Sequence, residues 1–142
     1  MREVKFRAWD KKDKVVRDVV GMSFYHESVS VDIEYGKYLQ DDAKRFELLQ
    51  YTGLLDKNGT EIYEGDLVDF NGLYEIRFGK HGVPSLEDEQ YVDMAHGFFF
   101  KAQHDMKDIE PFGMDMPLNE MYAKTCEVIG NVHQHGHLLE RD

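Results

Sequence analysis

A mainly β fold, a small barrel or sandwich with one or two short helices, is the class this chain predicts, on three observations. Apolar and polar residues alternate with period two at Val4–Ala8, Val29–Tyr35 and Leu67–Phe78, the spacing of strands with one buried face. Turn formers separate such runs at Asp56-Lys57-Asn58-Gly59 and again at Asn71-Gly72, where Asn and Gly tolerate the positive φ of a tight reversal. No strand-helix-strand rhythm, internal repeat or linker occurs, so residues 1–142 read as one domain.

Taken in order, Val4-Lys5-Phe6-Arg7-Ala8-Trp9 puts Val4, Phe6 and Ala8 on one side of a first strand and basic residues on the other. Asp10-Lys11-Lys12-Asp13 is a polar turn, and Val15–Val20 returns as a second strand. Val29, Val31, Ile33 and Tyr35 alternate with Ser30, Asp32 and Glu34 until Gly36 ends the run. Residues 38–50 carry both periods. Leu39, Ala43, Phe46 and Leu49 follow helical spacing, whereas Phe46, Leu48 and Gln50 alternate, which predicts a helical turn near Gln40–Arg45 and then a strand over Phe46–Thr52. Leu67–Phe70 and Tyr74–Phe78 make a hairpin about Asn71-Gly72.

Gly79–Glu89, rich in Gly, Pro and acid, reads as a loop, and Gln90–Ala95 with Phe98–Ala102 as a further hairpin about His96-Gly97. Gln103–Met116, with Pro111 and Gly113, predicts irregular structure. Pro117 suits the first turn of a helix whose apolar face is Leu118, Met121 and Tyr122, and Glu127–His133 reads as the last strand.

Apolar residues at 42% are ample for the core of a chain this long, which can bury roughly 70% of its unfolded surface. The longest apolar runs, such as Phe98-Phe99-Phe100, are far below the ~20 residues of a membrane-spanning helix. The N-terminal stretch has no apolar signal segment, so a soluble, cytoplasmic protein is expected. Cys126 is the single cysteine, which excludes an internal disulfide and a multi-cysteine zinc site and predicts a buried, inert thiol.

Seventeen basic against 28 acidic residues give a formal charge of −11, so the surface on average repels phosphates and nucleic acid is not the expected partner. The charge is unevenly spread. Arg2, Lys5, Arg7, Lys11, Lys12, Lys14 and Arg17 crowd the N-terminal stretch, while residues 87–120 hold nine acids against Lys101 and Lys107.

Three constellations invite a chemical reading. His133, His135 and His137 would share one face of a strand and offer imidazoles to a transition metal, but Gly136 among them favours a solvated turn that splays the rings. Glu64 and Asp66 flank Gly65 as a paired acid and base would, yet acids beside a glycine more often hold turn N–H groups, with Gly65 at positive φ. Trp9 beside Arg7 could stack a base, although a lone tryptophan more often finishes a core edge. No phosphate-cradling glycine loop, nucleophile elbow, Ser/His/Asp order or zinc motif occurs.

Three islands resemble the YopX-like proteins of phages and prophages: Lys5-Phe6-Arg7-Ala8-Trp9-Asp10, the stretch Leu49–Phe70 and Glu127-Val128-Ile129-Gly130-Asn131-Val132. The matching positions are Phe6, Arg7, Trp9, Asp10, Gln50, Tyr51, Thr52, Gly53, Asp56, Asn58, Gly59, Tyr63, Glu64, Gly65, Asp66, Gly130 and Asn131, all read here as structural. The family's ending places ordinary turn residues where the three histidines stand. The resemblance implies a bacterial cytoplasmic setting and an accessory role without an established activity.

The expectation is therefore a non-catalytic module that binds another protein, with no cofactor and no metal, and with self-association through exposed sheet edges. The alternatives are a nucleic-acid-binding barrel using Arg2, Lys5, Arg7, Lys11 and Lys12, and an acidic nucleic-acid mimic that occupies a host protein's DNA site. A small-molecule hydrolase is the remaining one.

Overall fold

The computed structural model describes residues 3–25, 28–35, 37–85, 91–103 and 115–135. It is mainly β, with antiparallel strands in two sheets and, among the described residues, one short helix; the strand order of neither sheet closes on itself. The chain divides into two compact units, Met1–Tyr51 and Thr52–Asp142, and strand β5 runs from the first into the second.

In the first unit β1 (Phe6–Asp10), β2 (Val15–Tyr25), β3 (Ser28–Tyr35), β4 (Lys37–Asp42) and β5 (Phe46–Leu55) lie in the order β4-β3-β2-β1-β5. Ala8 stands between Arg17 on β2 and Leu48 on β5, and with Val31, Ile33 and Phe46 forms a core against which Val19 and Leu48 pack. Val4 precedes β1 and is exposed. The expected helical turn shrinks to a single 3₁₀ turn at Ala43–Arg45, because residues 37–42 all pair with β3, from Tyr35 back to Ser30, and the ladder overrides their helical spacing. Strand β2 also outruns its expected end, bridging a register shift between Val19 and Gly21.

In the second unit β6 (Glu61–Tyr63) adjoins the end of β5, and β7 (Asp66–Asp69), β8 (Leu73–Pro84), β9 (Tyr91–Ala102), β10 (Met116–Pro117) and β11 (Glu127–Asn131) lie in the order β10-β9-β8-β7-β11. The alternation of β8 sends Tyr74 and Ile76 into a core with Ile62, Val68, Phe100, Met116, Ala123 and Cys126. Phe70 stacks on Phe100 at 5.3 Å and tilts against Tyr122 at 5.4 Å, so the hairpin, β9 and helix α1 (Glu120–Ala123) meet through aromatic rings. The Asn71-Gly72 reversal has the expected backbone, with φ of 52° and 140°.

Three expectations for this unit are overturned. Residues 79–84 belong to β8 rather than a loop, and His96-Gly97 lies inside β9 rather than at a turn. The register explains both: Gly79 stands directly opposite Gly97, and the ladder continues past them through Lys80↔His96 to Val83↔Asp93. Pro117 lies in the edge strand β10 opposite Phe99, where its missing N–H removes no ladder bond, and not in the helix. Asn119 caps α1 instead, its side chain accepting the Tyr122 N–H at 2.8 Å. Leu118 and Tyr122 pack on the core as expected, while Met121 is exposed. The expected irregular stretch falls largely at 104–114, outside the described residues.

Gly59 (φ 80°) and Gly72 (φ 140°) are turn glycines whose positive-φ backbone a β-branched residue disfavours. Gly59→Val and Gly72→Val are each expected to lower the unfolding free energy by roughly 1–3 kcal/mol in denaturant melts. No heavy atom lies within 4 Å of a Cβ built on Gly59, so Gly59→Asn should recover most of the loss. A Gly59→Asn as unstable as Gly59→Val would show that space, not backbone, sets the requirement.

Candidate functional site

Strand β1 delivers Asp10 to the tight turn into β2, with its carboxylate fully buried. Oδ1 accepts the backbone N–H of Lys12 at 3.0 Å and of Asp13 at 3.1 Å, and the Asp10 carbonyl accepts from Lys14. Arg17 Nε bonds Oδ2 at 2.9 Å from β2, and Arg45, placed by the 3₁₀ turn, reaches both oxygens at 2.9 and 2.8 Å. Both guanidiniums also engage Asp13, at 2.6 and 3.2 Å. Burial alone would raise the Asp10 carboxyl; the Arg45 and Arg17 bonds, with the two backbone N–H groups, overcome it and hold the group well below the usual carboxylate range. Every lone-pair direction of this carboxylate is spent, which leaves nothing for proton transfer.

The second buried carboxylate sits where β5 turns into β6. Asp56 Oδ1 accepts the N–H groups of Asn58 at 2.8 Å and Thr60 at 2.9 Å, and Oδ2 accepts Val128 N–H at 2.9 Å from the start of β11. Lys57 N–H donates to the Cys126 carbonyl, and Lys57 Nζ pairs with Glu127 at 3.2 Å. Burial raises this carboxyl too, but the N–H bonds from Val128, Thr60 and Asn58 outweigh it and its pKa is lowered. Cys126 is fully buried, as expected, and burial with the nearby Asp56 charge pushes its thiol up to about 12, so it is no nucleophile at neutral pH.

The remaining motif residues are spent similarly. Gln50 stands opposite Phe6, and Tyr51 donates its N–H to the Lys5 carbonyl while lying under the Lys5 ammonium. Thr52 Oγ1 bonds the Ile62 carbonyl at 2.8 Å, and Gly53 (φ 88°) follows in the left-handed region. Asp66 Oδ2 accepts the Tyr63 N–H at 2.8 Å across Glu64 and Gly65, and Gly65 has the expected positive φ of 88°. Asp66 thus holds a turn.

Gly65 also ties two ends together, donating to the Ile76 carbonyl and accepting from Val132 N–H. Asn131 Oδ1 gathers the N–H groups of His133 and Gln134, and His135 Nδ1 accepts the Asn131 N–H at 3.1 Å. His133 and His135 therefore shape a turn; His137 lies outside the described residues, and no three metal-ligating side chains gather among those described. A Cβ on Gly130 would come within 2.7 Å of the His135 ring, which is why glycine stands there.

Part of the basic stretch has partners within its own unit. Lys5 pairs with Glu3 at 3.3 Å, Arg7 with Asp18 at 3.5 Å, and Lys11 Nζ approaches the Lys44 carbonyl at 3.5 Å. Trp9 is half-buried on β1 between Val16 and Glu47, and it is not among the residues that pack on the core formed by Ala8. Sequence reasoning missed Arg17 and Arg45 as partners of Asp10. The signal was available in the chemistry, since a carboxylate at the end of a buried strand face requires cations, but the sequence does not show which.

Residues 5–140 match the YopX protein family, and the chain belongs to it. It is similar to the crystal structure of protein EF1440 from Enterococcus faecalis, with 26% identity, a TM-score of 0.58, and coverage of 99% of this chain and 100% of that one. No curated protein matches it.

Acid should unfold this protein through two of its buried carboxylates, Asp10 and Asp56. Both have folded pKa values below the unfolded value near 3.9, so the unfolded state binds more protons and stability falls as pH drops below about 5. Asp10→Asn is expected to cost about 3–5 kcal/mol at pH 7, because it strips the charge from between two guanidiniums, and to flatten the acid limb of stability against pH. A separate steric test lies in Gly130→Ala, which should destabilise the parent measurably but cost little more when added to His135→Ala, whose own cost is the lost acceptor for the Asn131 N–H. A Gly130→Ala as stable as the parent would contradict the packing described for His135.

Proposed function

We propose that this chain is a non-catalytic accessory module of the barrel-or-sandwich class, encoded by a phage or prophage, that acts in the bacterial cytoplasm by binding another protein. The observation that supports this most is the state of the motif side chains. Asp10, Asp56 and Asp66, the residues best suited to acid-base work, are committed to backbone N–H groups and guanidiniums. What stands out to solvent is apolar instead, with Phe78, Met94 and Ile129 all more than 40% exposed on the second unit's sheet.

The nucleic-acid reading weakens on the same grounds. Lys5, Arg7, Arg17 and Arg45 have acidic neighbours in their own unit, and counterion release needs cations that phosphates can claim. Fluorescence anisotropy with labelled single- and double-stranded oligonucleotides at ~150 mM salt is expected to show no binding. Capture from the bacterial host during infection is expected to return a defined protein that survives washing at ~500 mM salt. Micromolar oligonucleotide affinity, lost when Lys5, Arg7, Lys11 and Lys12 become Ala, would overturn the reading; capture of a DNA-binding host protein that salt releases would replace it with the nucleic-acid mimic.

A further inference from the structure

The outer part of the β8–β9 ribbon ends in an edge whose backbone groups point away from β8. Residues of β9 alternate in the direction of their N–H and C=O groups, and the bonds from Leu118 N to Phe98 O and from Ala102 N to Asp115 fix the even-numbered ones as outward. Strand β10 covers this edge only opposite Phe99 and Phe100. Past Phe98, among the described residues, no strand pairs with it, and one contact is made there: Met94 N–H is held by the neighbouring Asp93 carboxylate at 2.7 Å. The His96 N–H, the His96 carbonyl and the Met94 carbonyl have no partner among the described residues.

We infer that the Asp93–Gly97 edge of β9 pairs antiparallel with the same edge of a second copy of this chain, about a two-fold axis at Ala95. This goes beyond the binding role proposed above and stands without it. In that register each outward group finds a match. His96 N–H donates to the partner copy's Met94 carbonyl, Met94 N–H leaves Asp93 for the partner copy's His96 carbonyl, and symmetry doubles the set. Pairing stops at Phe98, whose carbonyl already accepts from Leu118.

Side chains favour the same occupant. Asp93, the charged residue of the segment, falls opposite Gly97 and meets no like charge. Met94, 52% exposed, falls opposite His96, and Phe78, 51% exposed, already meets His96 edge-on at 5.1 Å. The pair therefore extends one apolar strip, Phe98–Phe78–His96, across the axis to Met94 of the second copy. The opposite edge of the ribbon carries Lys80, a charge that discourages such pairing.

Sedimentation velocity from ~1 µM to ~1 mM protein decides the matter. The expected result is a dimer that grows with concentration and tightens with added salt, which screens two bodies of charge −11. His96→Pro deletes an outward donor that no internal ladder bond uses, and should weaken association at least about tenfold with the melting curve preserved. Asp93→Ala releases Met94 N–H and should tighten association, an expectation that holds even if the proline variant fails to fold. Lys80→Pro, on the other edge, should leave association unchanged. A parent that stays monomeric throughout, association indifferent to both β9 variants, or equal loss in Lys80→Pro would each overturn the inference.

Discussion

Turns between short antiparallel strands leave backbone N–H groups that no ladder can take up, and in this protein a carboxylate or carboxamide takes them at turn after turn. Asp10 holds Lys12 and Asp13, Asp56 holds Asn58 and Thr60, Asp66 holds Tyr63, and Asn131 holds His133 and Gln134. Asp69 does the same for Gly72. A buried N–H group without a partner would cost of order 1–3 kcal/mol, so these bonds matter most where they are shielded from water, as at Tyr63.

Two of these acids do more than close a turn. Asp10 sits between two guanidiniums, joining β1 to β2 and to the 3₁₀ turn ahead of β5. Removing one member of such a buried set leaves an uncompensated charge, which is why its loss is costly even where its net contribution to stability is small. Asp56 reaches 72 positions along the chain to Val128 and seats β11 against the first turn of the second unit. The family's signature thus marks residues that long-range order depends on.

Much of this was legible. The reversals at Asn58-Gly59 and Asn71-Gly72, the positive φ of Gly65, the buried Cys126 and the alternation of β3 follow from local chemistry that needs no tertiary knowledge. Family membership was legible from the three islands. What failed was the reading of glycine and proline as punctuation. Gly79 and Gly97 lie inside a ladder because each stands opposite the other, and Pro117 lies on an edge because Phe99 pairs with it from one side only. Those facts belong to pairs of residues, and one strand's sequence does not contain its partner. Arg45 escaped notice for the same reason, since 35 residues separate it from Asp10.

The claim that turn carboxylates organise the fold is tested most directly by amide hydrogen exchange in Asp56→Asn, followed residue by residue by NMR. Asn58, Thr60 and Val128 should lose protection together, while the Arg77–Phe99 rung of β8 and β9 keeps its own, because one side chain serves all three amides. If Val128 stays protected while Asn58 and Thr60 open, Asp56 is only a local turn cap, and β11 is held by its pairing with β7 alone.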